Sequence, residues 1–435
     1  MDGSTIFALA SAPGRGGVAV FRLSGPAAGE ALFSLTGKRP HPRHAMRVRV
    51  SHDGEAIDEG LALWFPAPHS FTGEDVAELH LHGGRAVAGA LSEALVGLGL
   101  RPAEAGEFSR RAFLNGKLDL TKAEAIADLV EAETAAQRRQ ALRQLDGGLS
   151  VLVERWRQRL VQALALMEAA IDFSDEGIGE DLIDQVAALV GRLKDDLERS
   201  RGEGRRRERL RDGIHIALLG APNAGKSSLI NRIAGREVAI VSARAGTTRD
   251  VIETHLDLNG WPVVLADTAG LREAAEDVEA EGVARALARA EVADLKVLVF
   301  DATLLPERDA ATLALHDDAA VVVFNKCDVA NPVDSHGAIM VSARSGAGID
   351  ALLARLEADV AERFAVTGEP ALTRARHRAA VEECLVALGR FDPGGPVELA
   401  CEELRSAARS VGRITGRVEV EEILDVVFRE FCIGK

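Results

Sequence analysis

Residues 214–228 read IHIALLGAPNAGKSS. A short apolar run leads into a loop bounded by glycines and closed by lysine and serine. The helical stretch SLINRIAG follows it. Few sequences restrict a fold as strongly, because the pattern works only as a strand, a tight loop and a helix start in that order. Glycines let backbone N–H groups curl around phosphate oxygens. The helix N-terminus adds favourable partial charge. Such a loop would hold a nucleotide through Asn223, Ala224, Gly225, Lys226, Ser227 and Ser228, with Lys226 reaching the β- and γ-phosphates and Ser227 giving an oxygen to Mg²⁺.

Three further strings follow in a fixed order. DTAG (Asp267, Thr268, Ala269, Gly270) ends the apolar run VVLAD, where Asp267 can hold magnesium through its shell. NKCD ends AVVVF and supplies Asn325, Lys326 and Asp328 as nucleotide-binding residues. Asp328 can accept from both the N1–H and the exocyclic amine of guanine. Adenine offers no such donor pair, so an unpaired carboxylate would penalise it. SAR (Ser342, Ala343, Arg344) ends AIMV and can close over the guanine oxygen. Between the first two motifs lies AGTTRD, whose Thr248 is placed to coordinate Mg²⁺ when a γ-phosphate is present. Together these strings predict a GTPase. One expected part is absent. Leu271 stands where many GTPases carry a glutamine that orients water, and only Arg249 or Arg272 offers a nearby cationic side chain. Hydrolysis without a cationic helper is expected to be slow.

The rest of the chain divides by composition. The first 118 residues mix strand-like runs (TIFALAS, GVAVFRL, MRVRV, GLALWF, VAELHLH) with the helical RAVAGALSEALVGLGL, which predicts a small α+β domain over 1–118. No proline occurs between Pro102 and Pro222, and apolar residues recur there at helical spacing. The pattern predicts an antiparallel helical array over 119–211, broken at DGG and SDEGIGED. The short apolar runs after it predict an α/β domain over 212–367 with a mainly parallel sheet, one hairpin turning at Asn259-Gly260. Helical sequence returns over 368–435, so the α/β domain reads as an insertion into a helical one. The charge run 199–213 is expected to be a solvated helix end or linker, and the basic stretches 138–144, 201–211 and 374–378, each expected to be a solvated helix face, are the candidates for contact with RNA.

Bulk composition narrows the class. The net charge of −15 over 435 residues argues against a coat protein for nucleic acid but permits local basic faces. Four cysteines at no metal-like spacing predict a reducing compartment, hence the cytoplasm. Neither a secretory leader nor an apolar run long enough to span a membrane is visible.

The strings APGRGG, SFTGEDVAELHLHGG, GEFSRRAFLNGKLDLTKAEAIADL, GAPNAGKSSL, AGTTRD, DTAGLRE and the terminal FCIGK resemble the bacterial MnmE (TrmE) family of tRNA-modification GTPases. The resemblance runs the length of the chain. It implies a tetrahydrofolate-binding-like N-terminal domain that dimerises and binds a folate one-carbon donor, with Arg22, Glu78, Lys117 and the terminal Lys435 at folate-contact positions. It implies that two G domains meet in the GTP state. Potassium, held by Asn223, Ser242, Arg244 and Thr247, would replace the missing cationic finger, and Glu279 would position the attacking water. With a FAD-dependent MnmG-type partner, the family installs an aminomethyl-type group on C5 of the wobble uridine of certain tRNAs. The FCIGK tail would reach back to the folate site. Two readings of Cys432 stand side by side, a structural tail residue and an activated thiol. Two alternatives remain to the modifying enzyme. One is an RNA- or ribosome-associated assembly switch without one-carbon chemistry. The other is a folate-dependent transferase with a vestigial G domain.

Overall fold

The computed structural model describes residues 3–172, 179–236, 238–240, 253–267, 291–318, 320–330, 337–365, 372–418, 424, 427–429 and 431–434. Its elements are β1 (Ile6–Leu9), β2 (Gly16–Ser24), α1 (Ala28–Thr36), β3 (Met46–His52), β4 (Glu55–Phe65), β5 (Val76–Gly83), α2 (Arg85–Gly97), β6 (Arg101–Pro102) and α3 (Glu107–Leu114). The helices α4 (Leu120–Glu131), α5 (Ala135–Leu145), α6 (Gly148–Asp172) and α7 (Gly179–Asp212) follow. Next come β7 (Ile214–Leu219), α8 (Lys226–Ala234), β8 (Glu253–Leu258), β9 (Trp261–Asp267), β10 (Leu295–Asp301), α9 (Ala310–Leu313), β11 (Ala320–Asn325) and β12 (Ile339–Met340). The chain closes with α10 (Ile349–Phe364), α11 (Ala375–Arg390) and α12 (Val397–Thr415). The chain forms two compact units, one from residues 1–127, 144–191 and 383–435, the other from 128–143 and 192–382.

In the first unit a six-stranded sheet runs in the order β3-β4-β5-β2-β1-β6, antiparallel except for the β1–β6 pair. Alternation decides its faces. Phe21 and Leu23 of β2 and Leu79 and Leu81 of β5 are buried with Leu32, Leu35, Leu91 and Leu95 of α1 and α2. The residues between them, Arg22 and Glu78, stand directly opposite one another in register on the other face. In the same unit α6 packs along α12. The buried Trp156, Leu160 and Met167 of the one, and Leu404, Ala407 and Val411 of the other, supply the apolar stripes that such packing needs.

The second unit holds a six-stranded sheet in the order β12-β11-β10-β7-β9-β8. All its pairs are parallel except β8–β9, which turns back at Asn259-Gly260 with Leu258 opposite Trp261. The central strands are apolar almost throughout, as strands covered on both faces must be. Ile216 and Leu218 of β7 are buried with α8 and α10 on one side, while Ala217 and Leu219 are buried with Phe300 and Phe324 on the other.

Three sequence expectations are corrected. The helix expected to run on from Leu120 stops at Glu131 and restarts at Ala135. Thr134 and Gln137 cap the new start reciprocally, Thr134 N–H donating to Gln137 Oε1 and Gln137 N–H to Thr134 Oγ1. The helix α3 was not anticipated. The basic runs 199–213 and 374–378 are not simply solvated. Arg207 and Arg374 are buried, as is His377. Arg211 Nε and Arg374 Nη2 share Asp128 Oδ1 at 2.9 and 2.7 Å, Arg209 pairs with Asp294 at 3.0 Å, and Arg378 pairs with Glu208.

Candidate functional site

Nucleotide chemistry is placed at the carboxyl ends of the parallel strands, where an α/β sheet opens toward a ligand. The loop after β7 turns through Asn223 in the left-handed region, φ +65°, and Gly225 at +92°. A Cβ on Gly225 would lie 2.2 Å from Asn325 Nδ2, so no other residue fits. Gly225 is also the N-cap of α8, which leaves the first N–H groups of the helix facing the loop. Lys226 is 7% exposed and its Nζ donates to the carbonyls of Gly220 (2.7 Å) and Ala221 (3.0 Å), folding the loop over its own amine. Ser227 and Ser228 are exposed at the first turn. The β7–β9 register sets Asp267 opposite Leu218, at the strand end beside this loop. Converging amides, one lysine and exposed hydroxyls fit the phosphates of a nucleotide and its Mg²⁺.

The base side is built around Asn325, which is 2% exposed. Its Nδ2 donates to Ala224 O at 2.9 Å and its Oδ1 accepts from Ala343 N–H at 3.0 Å. One amide thereby ties the phosphate loop to the SAR loop. Ser342 Oγ donates to Asp328 Oδ1 at 2.7 Å and accepts from Ser345 N–H at 3.0 Å, which fixes the carboxylate of the NKCD loop. Arg232 Nε of α8 donates to Ala343 O at 2.8 Å, and its Nη2 to Arg344 O, bracing the same loop from below.

Sequence reasoning missed Asp301. It ends β10 opposite Asn325 and binds Lys326 Nζ at 2.6 Å, while its Oδ1 accepts from Thr303 N–H (2.9 Å) and Oγ1 (2.7 Å). Burial pushes its carboxyl up. The bonds from Lys326 and Thr303 outweigh that and hold it below the usual value. Lys326 itself sits at φ +67°, an uncommon conformation for a side-chain-bearing residue. The acid after KVLVF was the only sequence signal.

A second, partly buried cluster occupies the face of the first unit's sheet opposite α1 and α2. Arg22 Nε donates to Glu78 Oε1 at 2.9 Å, and Glu78 Oε2 lies 3.3 Å from His80 Nε2. The Arg22 guanidinium lies 5.6 Å from the Phe71 ring centre and 5.8 Å from that of Phe108. Lys117 Nζ donates to Pro68 O at 2.9 Å, in the same 66–75 loop that carries Phe71. Arg111, 3% exposed, binds Glu74 Oε2 (3.0 Å) and Glu107 Oε1 (2.9 Å), and Arg101 holds Glu107 as well (2.6 Å). The tail docks beside this cluster. Ile433 bridges Ala105, and Gly434 at φ +100° lies so near β1 that a Cβ would be 2.5 Å from Leu9 O. Cys432 is exposed and free. The structure thus brings Arg22 and Glu78 into one pair and seats the tail on the same unit. Phe71, Phe108 and His80 join the cluster without having been named from sequence; an aromatic and a histidine beside an arginine carry no pattern that sequence alone would single out.

Ser242, Arg244, Thr247, Thr248, Thr268, Ala269, Gly270, Glu279 and Lys435 lie outside the described residues, as does the side chain of Asp267. Among the described residues no cluster of His, Cys, Asp and Glu could hold a metal ion by itself, and no helix is long and apolar enough to cross a membrane.

With that geometry in place, relatives fall into one class. Residues 5–117 match the pattern of the GTP-binding protein TrmE N-terminus, and residues 120–432 that of the MnmE helical domain. A tRNA modification GTPase MnmE of Paramagnetospirillum magneticum is 65% identical over 99% of each chain. Its counterpart in Parvibaculum lavamentivorans is 54% identical over 99% of this chain and 100% of its own, and that of Rhodospirillum rubrum is 53% identical over 100% of both. A phosphate loop tied through Asn325 to the SAR loop, joined in one chain to the TrmE-type N-terminal pattern and to relatives of 53–65% identity over its length, makes this chain a member of the MnmE family of tRNA modification GTPases.

Proposed function

We propose that the chain is a potassium-stimulated GTPase that acts with a FAD-dependent MnmG-type partner on C5 of the wobble uridine of certain tRNAs, using a folate one-carbon donor. The carrying observation is the paired Arg22 and Glu78 beneath Phe71 and Phe108, with the terminal segment seated on the same unit. A cation and a carboxylate beside two aromatic rings suit a flat, hydrogen-bonding heterocycle with an acidic tail. Glu78 would accept from the ring's N–H groups, and Arg22, Lys117 and Lys435 would face its carboxylates. Gly434 lets the backbone come close, which favours a tail that completes this site.

In the second unit, Ser227 and Thr248 would hold Mg²⁺ and Asn223, Ser242, Arg244 and Thr247 would hold K⁺. These ions would supply the positive charge that the phosphates need and that an arginine finger gives in other GTPases. Lys226 stabilises phosphate oxygens, Asp328 selects the base and Glu279 orients water. Two G domains would meet in the GTP state, and the N-terminal domain would form the homodimer. The domain bounds that go with this reading are 1–118, 119–211, 212–367 and 368–435, and the compartment is the cytoplasm. Two measurements on the full chain test it. Folate should bind in a titration and fail to bind the Arg22→Ala variant. GTP hydrolysis should run faster in potassium than in sodium. A wild-type chain that binds no folate would favour the RNA-associated switch, and equal rates in both salts would remove the potassium mechanism.

A further inference from the structure

Two of the basic runs meet in the second unit. Gln137 and Gln140 of α5 donate through Nε2 to the carbonyls of Arg211 and Arg207 of α7, both at 3.0 Å. Residue numbers rise on one helix as they fall on the other, so the two helices lie antiparallel. Gln137, Gln140 and the buried Ala141 mark the face of α5 turned to α7, and Gly204, Arg207 and Leu210 the matching face. Each residue advances about 100° around a helix. Arg143 and Arg206 consequently flank the contact on one side, and Arg139 and Arg205 point outward above them. All four are exposed. Arg143 is near enough to add to the electrostatic load on the buried Arg207. Of the acids nearby, Glu208 holds Arg378 and Asp212 holds Arg211 at 3.0 Å, while Glu203 acts on the buried Arg207. On a chain of net charge −15, four exposed arginines gathered on one helix pair make a local field of the opposite sign.

We propose that this face of α5 and α7, carried by Arg139, Arg143, Arg205 and Arg206, is where the phosphate backbone of the tRNA docks. The proposal rests on the tRNA reading given above. Guanidinium forks match phosphate oxygens, and each neutralised phosphate releases counterions, so binding here must fall steeply with salt. The contact is to backbone and not to base edges, which orients the RNA without choosing its sequence.

The test uses the full-length protein and a fluorescent unmodified tRNA transcript, with anisotropy read between about 50 and 200 mM salt. The R139E/R143E/R206E variant should lose at least about tenfold in affinity. Its log K against log salt slope should flatten by about 2, since each lost contact removes roughly 0.7–0.9. The milder R139Q/R143Q/R206Q variant, its melting curve superimposed on that of wild type, should move in the same direction. Hydrolysis of GTP without tRNA should not change. A paired control, R405E/R409E in the first unit, should keep the affinity; an equal loss there would mean that only total charge matters and would overturn the assignment. Unchanged affinity and slope in both triple variants, with wild type binding tRNA, would overturn this docking face alone. A wild-type chain that binds no tRNA would overturn the tRNA reading with it.

Discussion

Asp301 shows how much of a nucleotide site is set by residues that no motif names. It holds the amine of Lys326, which sits in the NKCD loop beside Asp328. Lys326 is more than a third exposed, so the pair is worth about 0.2–1 kcal/mol, the range of exposed ion pairs. Asp301→Asn should weaken GDP binding about two- to fivefold in a fluorescent-nucleotide titration, since about 1 kcal/mol is roughly fivefold. Adding Lys326→Gln should cost little more, because both changes remove one interaction; additive losses would show that Asp301 acts elsewhere. The folded carboxyl lies below its ordinary 3.8, so its contribution is present above that value and fades as pH falls through the depressed one. Asp328→Asn should shift preference from guanine toward xanthine in a competition assay, because an amide can donate where the carboxylate only accepts.

At the scale of elements, close backbone approaches decide two connections. Gly225→Ala would drive a Cβ into the Asn325 amide at 2.2 Å, at a φ of +92° that side chains resist. Because that amide bridges two loops, nucleotide affinity should fall by a factor of ten or more while the sheet still folds, as circular dichroism would report. Gly434→Ala would press on Leu9 O at 2.5 Å. Hydrogen exchange at Ile433 should then quicken, and the folate affinity of the full chain should fall. The start of α3 and the residues just before it join these parts, since Ala105 carries the tail and Glu107 carries Arg101 and Arg111. Burial alone would raise Glu107. Bonds from Arg101, the Glu104 N–H and Arg111 overcome it and hold the carboxyl below its ordinary 4.5. The stability it gives is therefore complete above that value and lost as pH falls through the folded one. Melting temperature between pH 6 and about 3 should drop less steeply for Glu107→Gln, whose neutral side chain has no such proton to take up.

For the whole molecule, the sequence by itself determined the class of fold and the nucleotide chemistry. Glycine, lysine, serine and aspartate at fixed spacing after apolar runs leave few arrangements that satisfy both backbone and phosphate, whereas Arg22 and Glu78 were named only through the family resemblance and meet because β2 pairs with β5. The motif spacings are local patterns, and local patterns survive in one dimension. Several outcomes were not local. Thr134 and Gln137 restart a helix within a stretch whose apolar spacing runs on unbroken. Arg207, Arg374 and His377 are buried although their neighbours in sequence are charged and polar, because residues far along the chain, such as Asp128, meet two of the basic runs. The same folding leaves Arg139, Arg143 and Arg206 exposed on an antiparallel pair of helices. Whether an arginine is solvated, paired or available to a phosphate depends on which acid folding brings beside it. That choice is made by contacts between distant segments, which only the tertiary structure decided.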